Sequence, residues 1–227
     1  MSDFILIHGG AHGPWCWERL IPFLERSSRV NKVVAVDLIA DAQAVTAKSM
    51  QDISIADYIE GVLHRIRQVQ LSDIVLVGHS MAGIFIPALV HRIPDNIKRV
   101  VYVTTSNPPV GQSVADLMKH PLSPISRGAG FEEMFCSDLD KDTARWLMNN
   151  LREDPPLPFE ERVEVSTLPT GVASTYIVCE KDQALPVDYQ LEQAGHAEVD
   201  EIVRLDAGHS AFAAKPRELA DLLLRFA

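Results

Sequence analysis

Gly78-His79-Ser80-Met81-Ala82-Gly83 decides how this chain is read. It follows directly on the apolar run Asp73–Val77 and leads into the apolar, helix-compatible run Ile84–His91. A serine between a buried strand and a helix marks a sharp turn that lifts its hydroxyl clear of the sheet edge, a nucleophile elbow. Strand and helix cross closely there, so the positions two residues on either side must be small. Gly78 meets that condition. On the other side Ala82 stands where glycine is usual, and the glycine follows one position later, at Gly83.

Outward from the elbow, short β-rich runs alternate with helix-like segments. Phe4–Ile7, Lys32–Asp37, Asp73–Val77, Arg99–Val103, Ala173–Cys179 and Glu201–Leu205 read as strands. They are continuous apolar runs, as strands covered on both faces should be. Trp17–Glu25, Ile55–Val69, Gly83–His91, Val187–Ala194 and Pro216–Phe226 have helical spacing. This order predicts an α/β fold with about six mostly parallel strands and right-handed crossovers. Ligands bind such sheets beyond the carboxyl ends of the strands. The alternation breaks between about Thr104 and Pro169, where prolines and helix-like pieces at Val114–Lys119, Phe131–Phe135 and Thr143–Arg152 occur together. An insertion of this length with its own helices predicts a lid. The expected organisation is a core of residues 1–104 and 170–227 carrying a lid at 105–169.

Composition excludes some functions. A chain of 227 residues with a formal charge of -10 suits one domain and lacks the basic face that nucleic acid or an anionic membrane surface requires. No run approaches the roughly 18 apolar residues of a membrane span. Cys16, Cys136 and Cys179 form no CxxC pair and read as reduced, buried thiols. With no signal-peptide pattern at the N-terminus, a cytoplasmic location is expected.

Serine is a weak nucleophile at its free pKa and needs a base. His209, in Asp206-Ala207-Gly208-His209-Ser210, follows the last predicted strand. The base needs an acid to orient it and stabilise the imidazolium. Asp182, just past the preceding strand, is the first choice, with Asp206 and Asp188 as rivals. The order Ser80, Asp182, His209 is that of α/β-hydrolases. The tetrahedral intermediate of acyl transfer needs two donors for its oxyanion: the amide of Met81, directly after the serine, and one from the loop His8-Gly9-Gly10-Ala11-His12-Gly13, where Gly10 is the candidate and Gly9 provides space. The loop lacks the pattern of a phosphate site. His8 and His12 lie four apart across a glycine turn rather than on one helix, so no metal is expected, nor any cofactor. The insertion's Met118, Phe131, Met134, Phe135, Trp146 and Met148 should mostly fill its own core, about a third of them facing substrate.

The chain resembles the small-lid α/β-hydrolases that include plant methyl-ester esterases and hydroxynitrile lyases, with many bacterial relatives. The resemblance rests on Phe4–Trp17 with its two His-Gly pairs and two tryptophans, on Gly78–Gly83, on Asp182 with Pro186 four residues on, and on Gly208-His209. It implies an α/β-hydrolase fold with Gly10 and Met81 as oxyanion donors. The lyases of this group carry threonine after the first-strand histidine and lysine after the catalytic one. Here those positions are Gly9 and Ser210, which favours hydrolysis. The expected substrate is a small or medium neutral ester, cleaved by a monomer or homodimer. Gly9, His12, Ser210, Trp146 and Leu185 are the expected pocket residues. A C–C lyase and a hydrolase-fold ligand receptor are the alternatives.

Overall fold

The computed structural model describes residues 1–227. Six strands form one sheet: β1 (Ser2–Ile7), β2 (Val30–Ala35), β3 (Ile74–His79), β4 (Ile97–Val103), β5 (Ala173–Cys179) and β6 (Glu201–Leu205). Their order is β2-β1-β3-β4-β5-β6. Every neighbouring pair is parallel. Each expected strand is present, with ends displaced by two residues at most (β3 runs on through Gly78 and His79).

Eleven α-helices accompany the sheet. In chain order they are α1 (Ile21–Glu25), α2 (Leu38–Thr46), α3 (Ile55–Val69), α4 (Ile86–Arg92), α5 (Val114–Leu117), α6 (Phe131–Phe135), α7 (Lys141–Asn150), α8 (Leu157–Glu160), α9 (Val187–His196), α10 (Ala211–Ala214) and α11 (Pro216–Leu223). None is long and apolar enough to cross a membrane. Successive side chains of a strand point to opposite faces, and both faces are covered along the inner strands, while the edge strands β2 and β6 stay partly open to solvent. Ile5 and Ile7 pack with Tyr58, Val62 and Leu89 on one side. Phe4 and Leu6 pack with Trp17, Phe212 and Leu219 on the other. Helix α3 has the sharpest boundaries. Ser54 and Asp57 form a reciprocal capping box at its start, and Gln70 takes a left-handed conformation at its end. Helix α2 was not expected from the sequence. Its residues Leu38-Ile39-Ala40 and Ala42 carry no clear apolar stripe, and the Asp37 side chain starts it by accepting the Ala40 N–H.

Topology positions the site. The chain leaves β1 for one neighbour and leaves β3 for the other side of the sheet, which opens a crevice at their carboxyl ends. Ile7 pairs with Gly78 at that rim, so the glycine loop after β1 and the elbow after β3 begin side by side. The segment between β4 and β5, holding α5 to α8, is fastened to the rest at several points. Tyr189 Oη donates to the Leu117 carbonyl at 2.9 Å. Ser210 Oγ donates to that of Phe135 at 2.7 Å. The Gly208 amide donates to Asp138 at 2.6 Å.

Candidate active site

The elbow forms as its sequence requires. Ser80 sits at φ 53°, in the left-handed region that a non-glycine residue enters only when its surroundings impose it. The imposition comes from both sides. The Ser106 amide donates to the Ser80 carbonyl at 2.9 Å. A Cβ at Gly83 would run into the Ser106 carbonyl and Asn107 Oδ1, so the displaced glycine of the motif is the one that lets β4's exit pass. Ala82 is fully buried, and its Cβ lies 3.4 Å from where a side chain on Gly78 would begin.

Three side chains distant in sequence meet beside this turn. His209 Nε2 lies 3.0 Å from Ser80 Oγ. His209 Nδ1 lies 2.8 Å from Asp182 Oδ2. A carboxylate only accepts, so Nδ1 carries the proton and Nε2 presents its lone pair to the serine hydroxyl. Asp182 is 2 % exposed, yet it is richly satisfied. Its Oδ1 accepts the amides of Ala184 and Leu185 at 2.7 and 2.8 Å. Its Oδ2 also accepts the hydroxyl of Thr104. Thr104 was not foreseen; its one legible signal is its place directly after a strand whose end borders the site. The rival acids lie elsewhere. Asp206 pairs with Lys181 at 2.8 Å on the surface, and Asp188 is exposed in the first turn of α9. Phe135, from the insertion, stacks on the His209 ring at 5.2 Å with 17° between planes.

Gly10 and Met81 border the same cavity as Ser80 and His209. A Cβ on Gly10 would stand 3.4 Å from Met81 Sδ, so the two positions face each other. The loop that carries Gly10 is held peptide by peptide. His8 Nδ1 donates to the Gly9 carbonyl at 2.8 Å, fixing the plane that also bears the Gly10 N–H. His12 Nδ1 donates to the Gly10 carbonyl at 2.7 Å, fixing the plane that bears the Ala11 N–H. His8 Nε2 accepts from the Leu38 amide and from Arg152 Nη2, both at 3.2 Å, which sets its tautomer. Burial lowers the pKa of His8 to about 4 and of His12 to about 3, so both are neutral donors near pH 7. His79 is likewise buried and driven well below the usual histidine range, chiefly by desolvation. Its Nε2 donates to the His209 carbonyl at 2.9 Å.

Arg152 ties this loop to the insertion. Its guanidinium forks onto Asp37 at 2.7 and 2.9 Å, and its Nε donates to the His12 carbonyl at 2.8 Å. Ala11, at φ 60°, is gripped through both backbone groups: the Arg152 amide donates to its carbonyl at 2.9 Å, and its own N–H donates to Asp154 Oδ2. Neither Arg152 nor Asp154 was foreseen as part of the site, because a loop in the insertion carries no periodic signal that says what it touches.

The cavity measures about 170 Å³ and is lined mainly by apolar side chains. Among the expected pocket residues, Leu185 lines it. The other four do not. Gly9 lies beneath Ser80, where a Cβ would stand 2.5 Å from the serine Cβ. His12 is fully buried under the loop it braces. Ser210 is turned away to the Phe135 carbonyl. Trp146 packs edge-on to Trp15 at 5.1 Å, with the Arg19 guanidinium 4.4 Å from its ring centre, because α7 lies on the outer side of the loop. Of Met118, Phe131, Met134, Phe135, Trp146 and Met148, the first four line the cavity, twice the expected share, and Phe159 of the same insertion lines it too. No group of three or more His, Cys, Asp or Glu side chains is arranged to hold a metal ion.

Known proteins share this architecture. Methylesterase 9 of Arabidopsis thaliana is 30% identical over 261 aligned positions, covering 100% of this chain and 98% of its own. Polyneuridine aldehyde esterase of Rauvolfia serpentina is 27% identical, covering 98% of this chain and 94% of its own. Among solved structures, an extracellular alpha/beta-hydrolase from a Paenibacillus species, described as sharing structural and functional homology with tobacco salicylic acid binding protein 2, superimposes with a TM-score of 0.82 at 22% identity. It covers 100% of this chain and 99% of its own. The description that matches residues 4–222 as a whole is the one the elbow and sheet order lead to: the chain belongs to the alpha/beta hydrolase family.

Proposed function

We propose that the protein is a serine hydrolase that cleaves small to medium carboxylic esters through an acyl-enzyme, with Ser80, His209 and Asp182 as its triad. The carboxylic ester hydrolase class follows the methylesterases and the aldehyde esterase that match the full chain. The observation that carries the mechanism is the unbroken line from Ser80 Oγ through the imidazole to a buried, fully satisfied carboxylate. Ser80 Oγ attacks the ester carbonyl carbon while His209 Nε2 takes its proton. Asp182 stabilises the imidazolium. The amides of Gly10 and Met81 receive the oxyanion. His209 then gives the proton to the departing alkoxide, and water, deprotonated by the same nitrogen, releases the acid. Residues 105–169 serve as the lid over this site. A cavity of this size with few polar groups suits a neutral ester of modest length.

Lyase chemistry has less support. Gly9 has no room for a threonine side chain, and Ser210 is committed to the Phe135 carbonyl. The test is a panel of p-nitrophenyl and methyl esters of graded length, with mandelonitrile cleavage beside it. Ser80→Ala should keep the native circular dichroism and melting temperature and lose about 10³-fold or more of ester turnover. Near-full activity in that variant would remove Ser80 from the role of nucleophile.

A further inference from the structure

Asp154 reaches the cavity from the loop between α7 and α8. An outer hollow, which includes Arg152 and Glu153, adjoins the inner cavity, and the two share Ala11, Phe131, Asp154 and Phe159. These four residues therefore line one border between the cavity that holds Ser80 and the open surface, a second hollow meeting it at Met118, Ile125 and Phe159. Two of the four are aromatic, and one is a carboxylic acid.

That acid is only half engaged. Its Oδ2 accepts the Ala11 N–H, and no hydrogen bond reaches its Oδ1. Arg152 acts on it through space alone, since the guanidinium hydrogen bonds go to Asp37, His12 and His8. Among the other polar side chains of the lining, Tyr189 Oη is committed to Leu117 and His209 to Ser80 and Asp182, while Ser106 and Ser123 offer neutral hydroxyls, so Asp154 is the one carboxylate there. Burial raises the Asp154 pKa to about 6, so at neutral pH it is ionised in mostly apolar surroundings. Oδ1 is not sealed from solvent, and among mostly apolar neighbours a donor carried by a ligand is the strong partner that can replace water there.

Its position says where that donor sits. Asp154 Oδ2 lies 3.2 Å from where a Cβ on Gly10 would begin, and it holds the amide next along the chain. We infer that Asp154 selects esters bearing a hydrogen-bond donor, an amine above all, one or two carbons from the ester group. The inference rests on the ester-hydrolase reading and names the substrate class for that same site. An ammonium group meets the carboxylate, the apolar lining takes the remainder, and a second carboxylate at the same position is repelled.

Phenylalanine methyl ester and methyl 3-phenylpropanoate differ only by the amine and make the test. Wild-type protein should prefer the amino ester in kcat/KM by at least about tenfold. In Asp154→Asn the amide oxygen can still accept the Ala11 N–H, while the cavity-facing atom becomes a donor. The preference should then vanish or reverse, and monomethyl benzylsuccinate should improve. A preference unchanged by Asp154→Asn overturns the inference. Titrating both esters into Ser80→Ala protein, with and without Asp154→Asn, reads the same preference as a ratio of Kd values without turnover. An Asp154-dependent Kd ratio with no wild-type hydrolysis would retain the selectivity and refute ester cleavage. Hydrolysis of both esters with an Asp154-independent ratio would do the reverse.

Discussion

At the scale of single residues, the site depends on atoms that are missing as much as on those present. Gly9 has no side chain because Ser80 Cβ occupies the space one would need. Backbone carries that contact on one side and a left-handed residue on the other, so neither can yield cheaply. Gly9→Ala should therefore displace the Ser80 hydroxyl and reduce kcat/KM on any ester by about 100-fold. Gly195 is the control. It lies in the last turn of α9 with open space around it, and Gly195→Ala should raise stability by about 0.5–1 kcal/mol with kinetics unchanged. Steady-state kinetics and urea unfolding check both; equal kinetics in the two variants would show that Gly9 is not under steric constraint. Much of this layer was legible in advance. Ser80, Asp182 and His209 each follow a strand, and strand ends in a parallel sheet share one rim. Gly9, His12 and Ser210 show a different fault: nearness to a site residue in sequence says nothing about which way a side chain turns, whereas Trp146 lies on a helix, α7, whose packing face the sequence does not reveal.

At the scale of elements, the glycine loop after β1 and the loop between α7 and α8 act as one body. Arg152 joins them through Asp37, His8, His12 and Ala11. None of its hydrogen bonds reaches the reacting atoms, so it is a positioning residue. Arg152→Gln should lower kcat by about 10- to 100-fold and leave KM within about twofold, since the loop it steadies carries Gly10, the oxyanion donor proposed above. A change in KM alone would mean that Arg152 contacts substrate instead. The strands and the long helices could be read from periodicity, because a stripe or run of apolar residues declares its own burial. The clamp could not. It is made of charges and backbone amides whose partners lie more than a hundred residues away, and polar residues in loops have no period to betray them.

At the scale of the whole molecule, buried histidines make the fold sensitive to acid. His8, His12 and His79 are held neutral, with pKa values of about 4 for His8 and about 3 for His12. In the unfolded chain each binds a proton near pH 6.5, so unfolding takes up protons and stability falls as pH drops from 6.5 towards 4. Asp154 acts in the opposite direction. Its raised pKa, about 6, means that the folded state is protonated first, so its contribution grows as pH falls from about 6 towards 3.8. Three protons against one leave a net uptake near two, or roughly 3 kcal/mol per pH unit around pH 5. Urea unfolding at pH 6.5, 5.5 and 4.5 measures that slope; a flat profile would mean that these rings titrate normally in the native state.

The stacking of Phe135 on the His209 imidazole has a bearing on how such enzymes diversify. One stretch of chain supplies both much of the cavity lining and a wall against the His209 ring. Exchanging that stretch wholesale between relatives would change appetite and machinery together. A graft confined to residues 110–130 would leave Phe135, Arg152 and Asp154 in place, and would exchange Val114, Leu117, Met118 and Ile125 of the lining without touching the wall behind the imidazole.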